Sequence, residues 1–143
     1  VEEIRIEVGY SGYGYEGKKT LKELPSLLEP HEKPLKRARG FCASRSECIW
    51  RKMKELEVFD EFKIHDQVRA LCDLRMLLKA RKREMDYAFS KVDIRGVLKT
   101  IEKLRRVGGE IYEESWHFYF ASRQIPWSRL VRLVEEKIRT HVR

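Results

Sequence analysis

Thirty-one lysines and arginines are the side chains with the most chemistry to offer in this sequence, and they are unevenly spread. Residues 33–54 hold eight of them, Lys33, Lys36, Arg37, Arg39, Arg45, Arg51, Lys52 and Lys54, against the single acid Glu47, a local net of +7. Residues 69–83 hold six, Arg69, Arg75, Lys79, Arg81, Lys82 and Arg83, against Asp73, a local net of +5. The whole chain carries +8, so everything outside these two stretches is acidic, at −4. Neutralising phosphates depends on local charge density, and a concentration of this kind is what a polyanion-binding face needs. Arginine predominates at the centre of the first stretch, where its planar fork suits bidentate phosphate contacts. The bland alternative is a solvated surface, the usual fate of charge runs.

Other constellations carry less. Gly12-Tyr-Gly14-Tyr-Glu-Gly17 matches G-x-G-x-x-G, and with Lys18 it approaches the phosphate loop G-x-x-x-x-G-K-[ST]. Glycines in such loops let backbone N–H groups reach phosphate oxygens at a helix N-terminus. Here Lys19 stands where the magnesium-binding hydroxyl belongs, Pro25 follows closely, and no parallel strand completes a βαβ unit. A flexible glycine–tyrosine turn is the better reading. Asp60, Glu61, His65 and Asp66 offer ligands for a divalent cation, the equipment of metal-dependent phosphodiester hydrolysis. Helix capping and solvated charge explain the same residues more simply. His31, His65, His117 and His141 form no H-x-x-x-H or Cys/His pattern. Cys42, Cys48 and Cys72 are an odd number without CxxC spacing, so neither a metal nor a disulfide is expected. Trp116-His-Phe-Tyr-Phe120 and the tyrosines Tyr10, Tyr13 and Tyr15 have the means to stack on bases. Acidic Glu110, Glu113 and Glu114 beside the first segment favour burial for it, which leaves the Tyr10–Tyr15 loop as the stacking candidate.

These side chains need elements to position them. Ile4, Ile6 and Val8 alternate with Arg5 and Glu7, which predicts an N-terminal strand. Thr20-Leu-Lys-Glu23 fits a capping box opening a short helix to Leu28, and Pro25, Pro30 and Pro34 keep that region irregular. Ser44 or Ser46 caps a helix to about Phe59, with Ile49, Met53 and Leu56 inward. From Asp60 or Asp66 to Ser90 one long helix is expected, striped by Val68, Leu71, Leu74, Leu78, Met85 and Phe89. Ser90-Lys-Val-Asp93 is a second capping-box-like start, and the helix after it has Ile94, Val97, Leu98, Ile101 and Leu104 inward and Gly108-Gly109 as its stop. Trp116, Phe118 and Phe120 alternate with His117 and Tyr119, predicting a hairpin over 110–121. Ile125-Pro126-Trp127-Ser128 opens a last helix on Leu130, Val131, Val134 and Ile138. The order of helix, turn, helix and hairpin from Asp66 to Ala121 resembles the winged-helix proteins in order alone. That likeness implies Ile94–Val107 as a groove helix and Glu110–Phe120 as a wing; with no shared signature, no family is assigned on it.

Composition sets the frame. At 143 residues and 42% hydrophobic, the chain has the size and apolar content of one domain over 1–143. It divides into an irregular strand, loop and short-helix part over 1–40 and a helical part over 44–143. The expected fold is α+β and helix-dominated, with about four main helices, the N-terminal strand and the C-terminal aromatic β-hairpin. No apolar run spans a membrane and no signal peptide is seen; with unpaired cysteines, an intracellular protein is expected, cytoplasmic or nuclear alike. Val1 stands where an initiator Met would, which suggests a trimmed or processed chain. The absence of Asn, only two Gln and 38% charged residues match proteins from hot environments. The leading expectation is a non-enzymatic, basic RNA- or DNA-binding protein without cofactor. Its phosphate contacts come from Lys36, Arg37, Arg39, Arg45, Arg51, Lys52, Arg75, Lys79, Arg81, Lys82 and Arg83. The alternatives are an assembly subunit that uses the long helix for a protein partner or a second copy, and a metal-dependent nuclease using Asp60–Asp66.

Overall fold

A computed structural model of the chain describes residues 20–23, 39–119 and 124–143. The chain divides into two units, Val1–Ala43 and Ser44–Arg143. In the first, β1 (Thr20–Glu23) pairs antiparallel with β2 (Arg39–Cys42), Leu21 opposite Phe41 and Glu23 opposite Arg39. This corrects the capping box at Thr20–Glu23. Nucleating a short helix fixes several residues for one hydrogen bond, whereas a second strand supplies partners for the backbone at once. The strand expected over Ile4–Val8, the glycine–tyrosine loop, and Lys36 and Arg37 lie outside the described residues.

The second unit is helical, with no strand among its described residues, so the α+β reading with a hairpin does not hold for it. Six helices follow in order: α1 (Arg45–Lys54), α2 (Ile64–Leu77), α3 (Lys82–Phe89), α4 (Ile94–Val107), α5 (Gly109–Tyr119) and α6 (Trp127–Val142). Ser44 caps α1, its Oγ accepting the Glu47 N–H at 3.2 Å, and Asp93 caps α4 through the Arg95 N–H at 3.1 Å. The expected apolar stripes are the observed core: Ile49, Met53 and Leu56; Val68, Leu71, Leu74 and Leu78; Val97, Ile101 and Leu104; Leu130, Val134 and Ile138. Burying one such side chain stabilises by about 1.5–3 kcal/mol, and the stripes meet because α2 packs against α1, α4, α5 and α6. No helix among the described residues is long and apolar enough to cross a membrane.

Two expectations fail for identifiable reasons. The long helix to Ser90 is two helices, α2 and α3, joined by a link at Leu78–Arg81. A straight helix of 25 residues would run to roughly 37 Å, about the width of a whole small domain. Breaking it lets Met85, Ala88 and Phe89 turn back so that α3 packs on α1. The hairpin at 110–121 is the helix α5. Its exposed Glu113 and Glu114 and buried Tyr112 follow helical spacing, and Glu110 in its first turn suits the positive end of the helix dipole. The wing of the winged-helix order disappears with it.

The glycines between α4 and α5 also act differently from a helix stop. Gly108 does not adopt a left-handed conformation; its φ is −87°. A Cβ there would meet Trp127 Cζ2 at 2.6 Å and the Leu104 carbonyl at 2.8 Å. Glycine is required because the indole lies against the backbone. Trp127 Nε1 donates to the Arg105 carbonyl at 3.3 Å, and Tyr112 donates its hydroxyl to the Ile125 carbonyl at 2.6 Å. The start of α6 is thereby tied to the α4–α5 corner.

Candidate functional site

The lysines and arginines of the second unit have two distinct fates. Along α1 they are partnered. Arg51 Nε lies 3.4 Å from Glu47, Lys52 lies 3.2 Å from Asp73 and 3.5 Å from Glu55, and Lys54 lies 3.0 Å from Glu57. Glu47 is only 1% exposed, so the Arg51 pair is partly drawn into the protein and neutralises a buried carboxylate. Glu57 has a second duty: its Oε1 accepts the Asp93 N–H at 3.0 Å and so anchors the start of α4. Arg75 is half-buried on α2. Arg39 belongs to β2. Arg45, the first residue of α1, is exposed.

The link between α2 and α3 is the opposite case. Its N–H groups are hydrogen-bonded: Leu78 N–H donates to the Leu74 carbonyl at 2.9 Å and Ala80 N–H to the Leu77 carbonyl at 3.2 Å. Arg81 turns extended, with ψ at 151°, and donates its N–H to Glu84 Oε2 at 3.1 Å. Lys79, Arg81, Lys82 and Arg83 project from this fixed frame, all exposed, and none forms an ion pair among the described residues. Both acids of α3 are engaged elsewhere. Glu84 takes the Arg81 N–H, and Asp86 Oδ1 lies 2.8 Å from His141 Nε2 on α6. Three of the four cations sit at the positive end of the α3 dipole, where a cation costs about 0.3–1 kcal/mol. Those three charges do nothing for the stability of α3.

The remaining candidates separate. Asp60 Oδ1 accepts the Phe62 N–H at 2.9 Å and caps a short 3-10 turn, Glu61–Lys63. His65 and Asp66 are exposed in the first turn of α2. No group of three or more His, Cys, Asp or Glu among the described residues is arranged to hold a metal ion. The group that organises this loop is Gln67, which is 2% exposed. Its Nε2 donates to the carbonyls of Glu55 at 2.9 Å and Val58 at 2.8 Å, and its Oε1 accepts the Asp60 N–H at 3.3 Å. Burial pushes the Cys72 thiol up to about 12, so it is a core residue and not a nucleophile. Burial also raises the Tyr112 phenol. Neither Gln67 nor the His141–Asp86 pair is legible in the sequence, because nothing in a single polar residue's local pattern tells whether it is buried.

No family model, curated protein or solved structure matches this chain.

Proposed function

We propose that the protein binds nucleic acid without catalysis, contacting phosphates through Lys79, Arg81, Lys82 and Arg83 on the α2–α3 link. The observation that carries this reading is that four exposed cations within five residues form no ion pair among the described residues, on a chain whose N–H groups there are already hydrogen-bonded. Phosphate oxygens are the ligands that such a group neutralises best, with release of counterions. Arg45 and Arg69, exposed and outside any ion pair among the described residues, are the next candidates. The paired cations of α1 are not part of this reading, because a phosphate would have to displace Glu47, Asp73 or Glu57 to reach them.

The test is to change Lys79, Arg81, Lys82 and Arg83 together to Gln and titrate labelled DNA and RNA, single- and double-stranded, at two salt concentrations. With roughly five phosphates neutralised, wild-type affinity falls by about two to three orders of magnitude between 50 and 200 mM salt. The variant should keep its melting temperature within a few degrees, since exposed charges each contribute within about 0.5 kcal/mol. It should bind at least tenfold more weakly, and its salt slope should be shallower by about one for each phosphate left without its cation. A flat salt titration of the wild type refutes the reading.

A second reading, an assembly subunit, rests on a different observation. Phe62 is 92% and Val58 76% exposed on the loop between α1 and α2, whose backbone Gln67 holds in place. Apolar side chains displayed in this way suit a protein partner. Association through them would be insensitive to salt and abolished in Phe62→Ser.

A further inference from the structure

We infer that His141 is a positioning residue for the phosphate site: from α6 it engages the Asp86 carboxylate that would otherwise pair with Lys82 or Arg83, and so leaves both cations to phosphate; this rests on the phosphate-binding reading of the α2–α3 link. Asp86 stands four residues after Lys82 and three after Arg83 on α3, the two spacings at which side chains of one helix meet. Elsewhere in the protein ion pairs close such spacings, Arg139 with Glu135 at 2.9 Å on α6 and Arg105 with Glu102 at 3.0 Å on α4. On α3 neither pair forms, and Lys82 and Arg83 stand exposed, outside any ion pair among the described residues. Asp86 Oδ1 lies instead 2.8 Å from His141 Nε2. The two partners are unequal, since the Asp86 side chain is 57% exposed and that of His141 only 10%. The imidazole is packed edge-on against Phe89, ring centroids 4.6 Å apart, and Phe89 belongs to the core. A ring already immobilised by packing loses little entropy on taking the carboxylate, whereas a long exposed lysine or arginine must be ordered to do so. The histidine therefore wins the competition. The other acid of α3, Glu84, accepts the Arg81 N–H at 3.1 Å, which leaves Asp86 as the acid of this helix able to compete with phosphate.

The experiment is a double-mutant cycle read by binding of labelled oligo(dT) and of labelled polyphosphate at low salt. His141→Ala should weaken both about threefold, the effect of setting one or two helical ion pairs against the phosphate. Asp86→Asn has no charge to offer the cations and should bind both probes at least as tightly as wild type. Adding His141→Ala to Asp86→Asn should change nothing further. If His141→Ala folds poorly, His141→Phe keeps a ring against Phe89 without the N–H and should show the same loss, again absent beside Asp86→Asn. A loss that persists in the Asp86→Asn background means that His141 acts by packing alone and overturns the inference. Full affinity in His141→Ala and His141→Phe overturns it as well. Failure of the underlying reading looks different: wild-type protein then binds neither probe at low salt, or binds both as well when Lys79, Arg81, Lys82 and Arg83 are changed to Gln, and both proposals fall.

Discussion

Helix α1 and the α2–α3 link are about equally basic in sequence, yet they do unlike things with their charge. On α1, Arg51, Lys52 and Lys54 each meet a carboxylate within 3.5 Å, and their acids come from α1, from the turn after it and from α2. On the link, Lys79, Arg81, Lys82 and Arg83 meet none among the described residues, and the two acids of α3 serve a backbone N–H and a histidine. The first arrangement uses charge inside the fold; the second leaves it exposed and outside any ion pair among the described residues. Counting lysines and arginines cannot tell these apart, because partners lie up to 21 residues away, as Lys52 and Asp73 do.

Three substitutions test that division. The largest effect belongs to Gly108→Ala, which forces a methyl group onto Trp127 and the Leu104 carbonyl. It should cost about 3 kcal/mol by overpacking, read by urea denaturation, while binding below the transition is unaffected. Loss of binding in the folded variant would mean that the α4–α5 corner and the link are coupled. Next comes Glu47→Ala, which removes a buried carboxylate and leaves Arg51 without it. Stability to urea should fall by about 2 kcal/mol, since hydrogen bonds to charged groups contribute about 1.5–3 kcal/mol. Nucleic-acid affinity should not fall, and release of Arg51 from this carboxylate gives it room to rise slightly. The smallest effect is expected from changing Lys52 and Lys54 together to Gln, which leaves the buried Glu47–Arg51 pair in place. Stability should drop by about 1 kcal/mol in all, as partly exposed ion pairs are individually weak. Affinity should stay within twofold of wild type, against the tenfold loss from the link. A tenfold loss here as well would erase the distinction between the two regions.

What can be read in the sequence is what depends on near neighbours. The stripes of α4 and α6, the Ser44 cap and the inward set Ile49, Met53 and Leu56 all follow from spacing within one element, and the structure has them; the start expected as a box from Ser90 to Asp93 is capped by Asp93 alone, while the Ser90 hydroxyl donates to the Tyr87 carbonyl. The failures involve a second element. Leu78 and Met85 are seven residues apart, compatible with an unbroken helix, and only the packing of α3 on α1 requires the break. Trp116, Phe118 and Phe120 alternate as a strand would, but Tyr112 is the residue that sets the buried side of α5, through Trp127 and the Ile125 carbonyl. Of the candidate phosphate ligands, Lys79, Arg81, Lys82 and Arg83 stand out by charge density, whereas the pairing of Arg51 and Lys52 depends on burial and on α2.

Gln67 has one more consequence. It is a neutral side chain that closes the α1–α2 loop by three hydrogen bonds, where a charged one would have titrated. The hold on Glu55, Val58 and Asp60 is therefore the same in acid as in alkali, and the same in dilute buffer as in brine. The surface that displays Phe62 and Val58 keeps its shape under the very conditions that would strip a polyanion from Lys79–Arg83. If nucleic acid binds at Lys79–Arg83 and a protein at the loop, high salt would release the first and leave the second docked.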